Sequence, residues 1–334
     1  MMTEKYLQIR LKNRPGSRSD DFWTMTNDAP PTLEDHQVLL KMHYISLDPG
    51  MKGWMSDKKS YMPPVDLNDV MRAFGVGEVI DSRSDQFKIG QFVTGFTGAQ
   101  SHAVVDERGF LRPIDPDAAP LSHYMGGLGM TGFTGYFGMS DIGRTQKGET
   151  VVVSAAAGAV GSIASQVAKI SGARVVGIAG GEKKCHLLTE ELGLDAAIDY
   201  KKGPVDEALK KACPDGIDVY FDNVGGDILD AALMQMNRLA RIVLCGGVSQ
   251  YGDWHKAVGP ANYMQIVTQS LTVRGFTMMD YSSQIPEGSA QLAQWQREGK
   301  VKFLEHIVDG LENFPAAFET LFNGGNTGKM IIRL

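Results

Sequence analysis

The sequence predicts an α/β protein in which a doubly wound parallel sheet of six strands, of the Rossmann type, accompanies a second, mostly β domain. Three observations carry that expectation. The 334-residue chain exceeds the size at which one hydrophobic core grows efficiently. Roughly the first 125 residues are short apolar runs broken by Gly, Pro and Asp, as in HQVLLKMHYISLDPG, GVGEVIDS and GQFVTGF. From Val151 onward, strand patterns alternate with helical ones, as in parallel strands joined by crossover helices.

In chain order, Thr150 to Ser154 reads as the first strand of this sheet, and Val160, Ile163, Val167 and Ile170 then recur on one face of an amphipathic helix. ARVVGIAG is the second strand, Glu182 to Leu192 a helix, AAID the third strand, Val205 to Ala212 a helix, and IDVYFDNV the fourth strand. A helix over Ile228 to Met236 leads to ARIVLCGG and then LTVRGF, the fifth and sixth strands. Ser289 to Gly299 forms a further helix. The closing KMIIRL is a short strand that arrives after the sheet is complete, so it is expected to return to the first domain. No internal repeat, low-complexity segment or long linker interrupts this order.

Bulk composition narrows the function classes. The chain is 43% hydrophobic and 22% charged, with a net charge of −6, which suits a globular protein and disfavours general affinity for nucleic acid or an anionic membrane. Its three cysteines, Cys185, Cys213 and Cys245, are far apart and form no C-x-x-C pair, as expected of a reducing cytoplasm. MMTEKYLQIRLKNRPG lacks the basic flank and apolar core of a signal peptide. Val151 to Ala168 carries no charge and approaches the ~20 residues that cross a bilayer. Most of those residues are Ala, Gly and Ser, which gain little from hydrocarbon, so a membrane span is not expected.

A positioned glycine pattern explains the same stretch. In VVVSAAAGAVGSIASQVAK, Gly158 and Gly161 stand where a strand-loop-helix dinucleotide site lets backbone approach the pyrophosphate and helix pack on strand. Ala156 occupies the first-glycine position, which alanine tolerates if its φ stays negative. Amides at the helix start, around Ala159 and Val160, would face the phosphates. The second strand ends in Ile178-Ala179-Gly180-Gly181 with no acid to accept ribose hydroxyls, and Lys183 and Lys184 follow. That favours NADP over NAD. Glu182 fits the first turn of the next helix, where it complements the dipole.

The first domain holds no cysteine, and His36, His43, His102 and His123 are scattered without paired spacing, so no metal site is expected. Neither a G-x-S-x-G elbow nor a Tyr-x-x-x-Lys pair occurs. The chemistry left is hydride donation to a substrate that is already electrophilic. An α,β-unsaturated carbonyl fits if something hydrogen-bonds the developing enolate oxygen.

Several segments together resemble the zinc-independent medium-chain dehydrogenase/reductases, in the group of prostaglandin and leukotriene reductases, plant alkenal double-bond reductases and bacterial curcumin reductases. They are YISLDPGMKGWMSD, SYMPPVDL, GVGEVI, GMTGFTGYFG, AAAGAVG, GIDVYFDNVGG, CGGVSQY and GGNTGKMIIRL. The resemblance spans nearly the whole chain and is nearest to the bacterial curcumin reductases. It implies a GroES-like domain over residues 1–127 and 306–334, an NADP-binding domain over 128–305, NADPH as hydride donor, and an active site in the cleft between domains.

The resemblance also implies residue roles. Gly158, Ala159, Val160 and Gly161 match the pyrophosphate loop, and Lys184 and Tyr200 the 2′-phosphate contacts. Asn223 and Asn326 match further cofactor contacts. Cys245, Gly246, Ser249 and Tyr251 lie in one segment matching the nicotinamide half; Phe276, Thr277 and Met278 form the other. Tyr251 matches the tyrosine that reaches the substrate carbonyl oxygen, the alternative being a ring that only packs on the nicotinamide. Cys245 follows an apolar strand without a nearby histidine and reads as a small buried hydrophobe rather than a nucleophile.

The chain departs from its relatives at Gly50, where they usually carry Tyr, and at Lys52, Thr131 and Gly135. Quinone reductases of the superfamily tend to carry Asn-x-x-Asp where this chain reads Ile45-Ser46-Leu47-Asp48, which favours the enone group. The expectation is an NADPH-dependent reductase of conjugated carbonyl double bonds acting on a small molecule, in a homodimer. A quinone reductase and a non-catalytic NADPH-binding protein are the alternatives.

Overall fold

The computed structural model describes residues 6–16, 21–251 and 257–334. They divide into two compact units, Met1–Met125 with Glu305–Leu334, and Gly126–Leu304.

The first unit begins with strands β1 (Leu7–Leu11) and β2 (Trp23–Asn27), an antiparallel pair. It continues with β3 (Gln37–Ser46), helix α1 (Met51–Met55), β4 (Phe74–Ser82), β5 (Phe92–Phe96), β6 (His102–Asp106) and β7 (Leu111–Ile114). In β3, Val38, Leu40 and Met42 alternate into the core while Lys41 faces out, the period-two pattern of a strand with one buried face.

The second unit opens with α2 (Met130–Phe137) and then alternates: β8 (Thr150–Ser154), α3 (Ala159–Ile170), β9 (Arg174–Ala179), α4 (Glu182–His186), β10 (Ala196–Asp199), α5 (Val205–Ala212), β11 (Ile217–Asp222), α6 (Gly226–Leu233), β12 (Met236–Leu244), α7 (Met264–Thr268), β13 (Thr272–Gly275) and α8 (Ile285–Arg297). Its six strands form one parallel sheet in the order β10-β9-β8-β11-β12-β13, the doubly wound arrangement expected from the sequence. The order reverses between β8 and β11, the switch point at which open α/β sheets bind ligands. Val151, Val152 and Val153 are all fully buried, because a central parallel strand is covered on both faces.

The chain then returns to the first unit through β14 (Glu305–Asp309), α9 (Phe314–Phe322) and β15 (Lys329–Arg333). Strand β15 pairs parallel with β14 and antiparallel with β3, in the sheet β14-β15-β3-β4-β5-β7, with β6 also on β3. Lys329 is 1% exposed and donates from Nζ to the Leu47 carbonyl at 2.7 Å while pairing with Asp48. Burial lowers its pKa, with Asp48 opposing. Removing Asp48 would strand the buried ammonium, at a cost of about 3–5 kcal/mol.

Several elements differ from the sequence reading. Helix α3 is not amphipathic: Gly161 through Ala168 are all buried. Its outer face is covered by α2, where a Cβ on Gly135 would lie 2.9 Å from Ile163, and by Lys302, whose backbone N–H and carbonyl bond the Gln166 amide at 2.7 and 3.0 Å. The helix expected to reach Leu192 passes into a π turn at Leu187–Glu191. Strand β12 starts as early as Met236, interrupted by left-handed Leu239. Helix α8 begins at Ile285, with proline in its first turn. Elements α2, α9 and β14 were not anticipated. Val151 to Ala168 is a strand, a turn and a helix, and no helix among the described residues is long and apolar enough to cross a membrane.

Candidate active site

The nucleotide loop is built at the end of β8. Ala155 adopts the left-handed conformation, φ 48°, and Gly158 follows in extended conformation as the N-cap of α3, with its N–H on the Ala155 carbonyl at 2.9 Å. The sharp turn therefore falls one residue before Ala156. Ala156 itself is buried, with its N–H on the Ile178 carbonyl at 3.0 Å. A Cβ on Gly161 would lie 2.3 Å from the Ala155 carbonyl oxygen, so only glycine lets the helix sit this close to the turn. A Cβ on Gly158 would meet that same oxygen at 3.1 Å and nothing else within 4 Å. Backbone is thus approachable there, and the N-cap supplies no side chain to the first-turn amides around Ala159 and Val160. These features fit a pyrophosphate.

At the end of β9, Gly181 (φ 95°) turns the chain, and the Tyr200 ring lies on Gly180 so closely that a Cβ there would be 2.8 Å from the phenol oxygen. Lys184 is half-buried beside them. Burial and, second, the charge of Lys201 lower its pKa. Glu182 points to solvent and pairs with Lys202 at 3.5 Å. No acid ends β9, but the neighbouring strand brings one that sequence reasoning missed. Asp199 accepts the Gly181 and Lys201 N–H groups on one oxygen at 2.8 and 3.1 Å, and the Gly181 bond is the main cause holding its carboxyl below the usual range.

A buried polar network ties the ends of β8, β11 and β12 together. Asp222 is 1% exposed, and its Oδ1 accepts from Ser154 Oγ, Tyr220 Oη and the Val224 and Gly225 N–H groups, all at 3.0 Å. Asn223 donates from Nδ2 to the Ser154 carbonyl at 2.7 Å. The Asp222 carbonyl accepts the Cys245 and Gly246 amides at 2.9 and 3.1 Å. Ser249 Oγ donates to the Val224 carbonyl at 2.6 Å, and the Tyr251 phenol oxygen accepts the Gly247 N–H at 3.3 Å. The loop carrying Cys245, Gly246, Ser249 and Tyr251 is thereby fixed to the loop carrying Asn223. The Cys245 thiol is pushed up to about 12 by burial and then by Asp222, which makes it a poor nucleophile.

Phe276 follows β13, and its ring packs where a Gly138 Cβ would lie 2.7 Å away. Thr277 begins a 3₁₀ turn with a capping box to Asp280, and Met278 is buried in it. All these residues stand at the carboxyl ends of the parallel strands. Asn326 lies in the other unit, donating from Nδ2 to the Gly328 carbonyl at 2.9 Å.

His36, His43 and His102 occupy separate surroundings. His36 pairs with Glu107 at 2.7 Å, His43 packs against Phe92, and His102 packs against Tyr6. The first unit has no cysteine, and among the described residues no group of three or more His, Cys, Asp or Glu side chains is placed to hold a metal. This donor set does not fit a catalytic zinc.

A mostly β unit, and a doubly wound sheet with a glycine cradle at its switch point, are the parts expected of a two-unit dinucleotide-dependent oxidoreductase. Residues 7–112 match the N-terminal domain of oxidoreductase, and residues 159–295 match the family described as zinc-binding dehydrogenase. The chain is 40% identical over 330 residues to the NADPH-dependent curcumin reductase of Escherichia coli (strain K12), covering 97% of this chain and 95% of that protein. It is 39% identical over 318 residues to prostaglandin reductase 1 of Mus musculus, covering 94% of each. The crystal structure of CurA from Vibrio vulnificus in complex with NADPH superposes with a TM-score of 0.92 at 41% identity, over 98% of both chains. The chain belongs to the medium-chain dehydrogenase/reductase family, in its NADPH-dependent reductase group.

Proposed function

We propose that this protein reduces the carbon–carbon double bond of α,β-unsaturated ketones and aldehydes with NADPH, adding hydride to the β-carbon. The observation that carries the reading is a dinucleotide cradle whose strand-end loops are locked to a loop ending in one phenol, Tyr251, in a chain whose first unit has no cysteine. Similarity to curcumin and prostaglandin reductases supports it.

In this reading, residues 128–305 form the NADP-binding domain, and 1–127 with 306–334 the GroES-like substrate domain. Gly158, Ala159, Val160 and Gly161 hold the pyrophosphate, and Lys184 and Tyr200 the 2′-phosphate. Asn223 and Asn326 make further contacts, and the segments Cys245 to Tyr251 and Phe276 to Met278 line the nicotinamide half. When bound, NADPH supplies a hydride to the β-carbon of the conjugated carbonyl. The Tyr251 O–H donates a hydrogen bond to the enolate oxygen that develops. The Gly247 N–H on its oxygen orients the ring and polarises the O–H. A proton exchangeable with solvent completes the product at the α-carbon.

The protein acts in the cytoplasm as a homodimer in this reading. Strand β13 ends its sheet with all its residues exposed, an edge that a second copy would cover. The function is tested by following NADPH oxidation with a panel of enones, enals, diarylheptanoids and quinones. Turnover of conjugated ketones or aldehydes is expected; silence toward all of them with quinone reduction would make the protein a quinone reductase.

A further inference from the structure

We propose that Lys201 is a second cation for the 2′-phosphate of NADPH, and that Asp199 is the positioning residue that delivers it. The inference rests on the NADPH reading above and deepens it.

Strands β9 and β10 are parallel neighbours with Ala179 opposite Asp199, so their outgoing turns lie side by side. A single oxygen of Asp199 accepts the Gly181 N–H from one turn and the Lys201 N–H from the other, at 2.8 and 3.1 Å. Between them the Tyr200 N–H bonds the Ala179 carbonyl at 3.2 Å and its ring covers Gly180. Lys201 Nζ stands 5.9 Å from the centroid of that ring.

Lys201, near the Tyr200 ring, and Lys184 are thus two positive charges close enough together that Lys201 disfavours protonation of Lys184. Lys202 is directed elsewhere, to Glu182. Such a pair is unfavourable alone and favourable around a dianion, which places its benefit in the phosphate-bound state. A carboxylate near a phosphate would ordinarily repel it. Here Asp199 Oδ1 accepts two backbone amides, one from each turn, so the residue fixes the two turns together.

The test is calorimetric titration with 2′,5′-ADP and, separately, 5′-AMP at low salt. Lys201→Ala should weaken 2′,5′-ADP by about three- to fivefold, the range of an exposed ion pair, and leave 5′-AMP unchanged. Lys184→Ala, at a half-buried site, should weaken it more. Asp199→Asn keeps an acceptor oxygen and should retain the 2′,5′-ADP affinity, whereas Asp199→Ala should lose as much as Lys201→Ala. Unchanged 2′,5′-ADP binding in Lys201→Ala, with a clear loss in Lys184→Ala, would overturn the proposal and leave the NADPH reading standing. Tighter binding in Asp199→Ala would assign Asp199 a repulsive role and likewise overturn it. Equal affinity of the unaltered protein for the two nucleotides would overturn the NADPH reading itself.

Discussion

Gly161→Val is expected to abolish NADPH binding, weakening it at least ~100-fold, and to lower the stability of the nucleotide-binding unit by about 1–3 kcal/mol, the range of overpacking in a filled core. A Cβ at this position falls 2.3 Å from the Ala155 carbonyl oxygen and 2.9 Å from Ala156 Cα, so the obstruction is backbone and cannot rotate away. Relief requires α3 to withdraw from β8 or the turn to open. Ala155 already holds a left-handed conformation disfavoured for alanine, so the turn has little room to give. Either movement displaces Gly158 and the first-turn amides of α3, the groups proposed to hold the pyrophosphate. Titration by nucleotide fluorescence and a thermal melt read the two effects. Ordinary affinity in a folded Gly161→Val protein would show that the loop does not hold the cofactor.

Tyr251→Phe should lower kcat for an enone by about two to three orders of magnitude, the typical cost of one oxyanion donor. NADPH affinity should stay within about twofold, because the change removes a hydroxyl and keeps the ring. The loop remains fixed by Ser249 to Val224 and by the Cys245 and Gly246 amides to Asp222, so the substitution tests the phenol more than the fold. Unchanged turnover would reduce Tyr251 to a packing ring.

The sheet was legible because its signals are local and redundant. The unbroken apolar run of β8 marks a strand buried on both faces, and the glycine spacing after it marks the helix start. Helix α2 was not legible. MTGFTGYF carries two glycines, each disfavoured by about 1 kcal/mol in a helix interior, and only tertiary packing against α3 reveals why Gly135 is there. The same reason hid the full burial of α3, whose outer cover comes from α2 and Lys302.

Within the site, Gly158, Gly161, Lys184 and Tyr251 stand out by residue type and position. Asp222 and Asp199 do not. Asp222 earns its place by bonding Ser154, which is distant in the chain, and Asp199 by the parallel register that sets it opposite Ala179. Each looks in the sequence like an acid at the end of a strand, and only the paired neighbour shows which amides it holds.

Hydride addition to a conjugated double bond is distinguished from carbonyl reduction by the position of the transferred hydrogen. The protein is incubated with an enone and NADPH deuterated at nicotinamide C4 on the transferred side, and the product is read by NMR. The expected product is a saturated ketone carrying one deuterium on the β-carbon and solvent hydrogen on the α-carbon. Deuterium on the carbonyl carbon of an allylic alcohol, with the double bond intact, would contradict it.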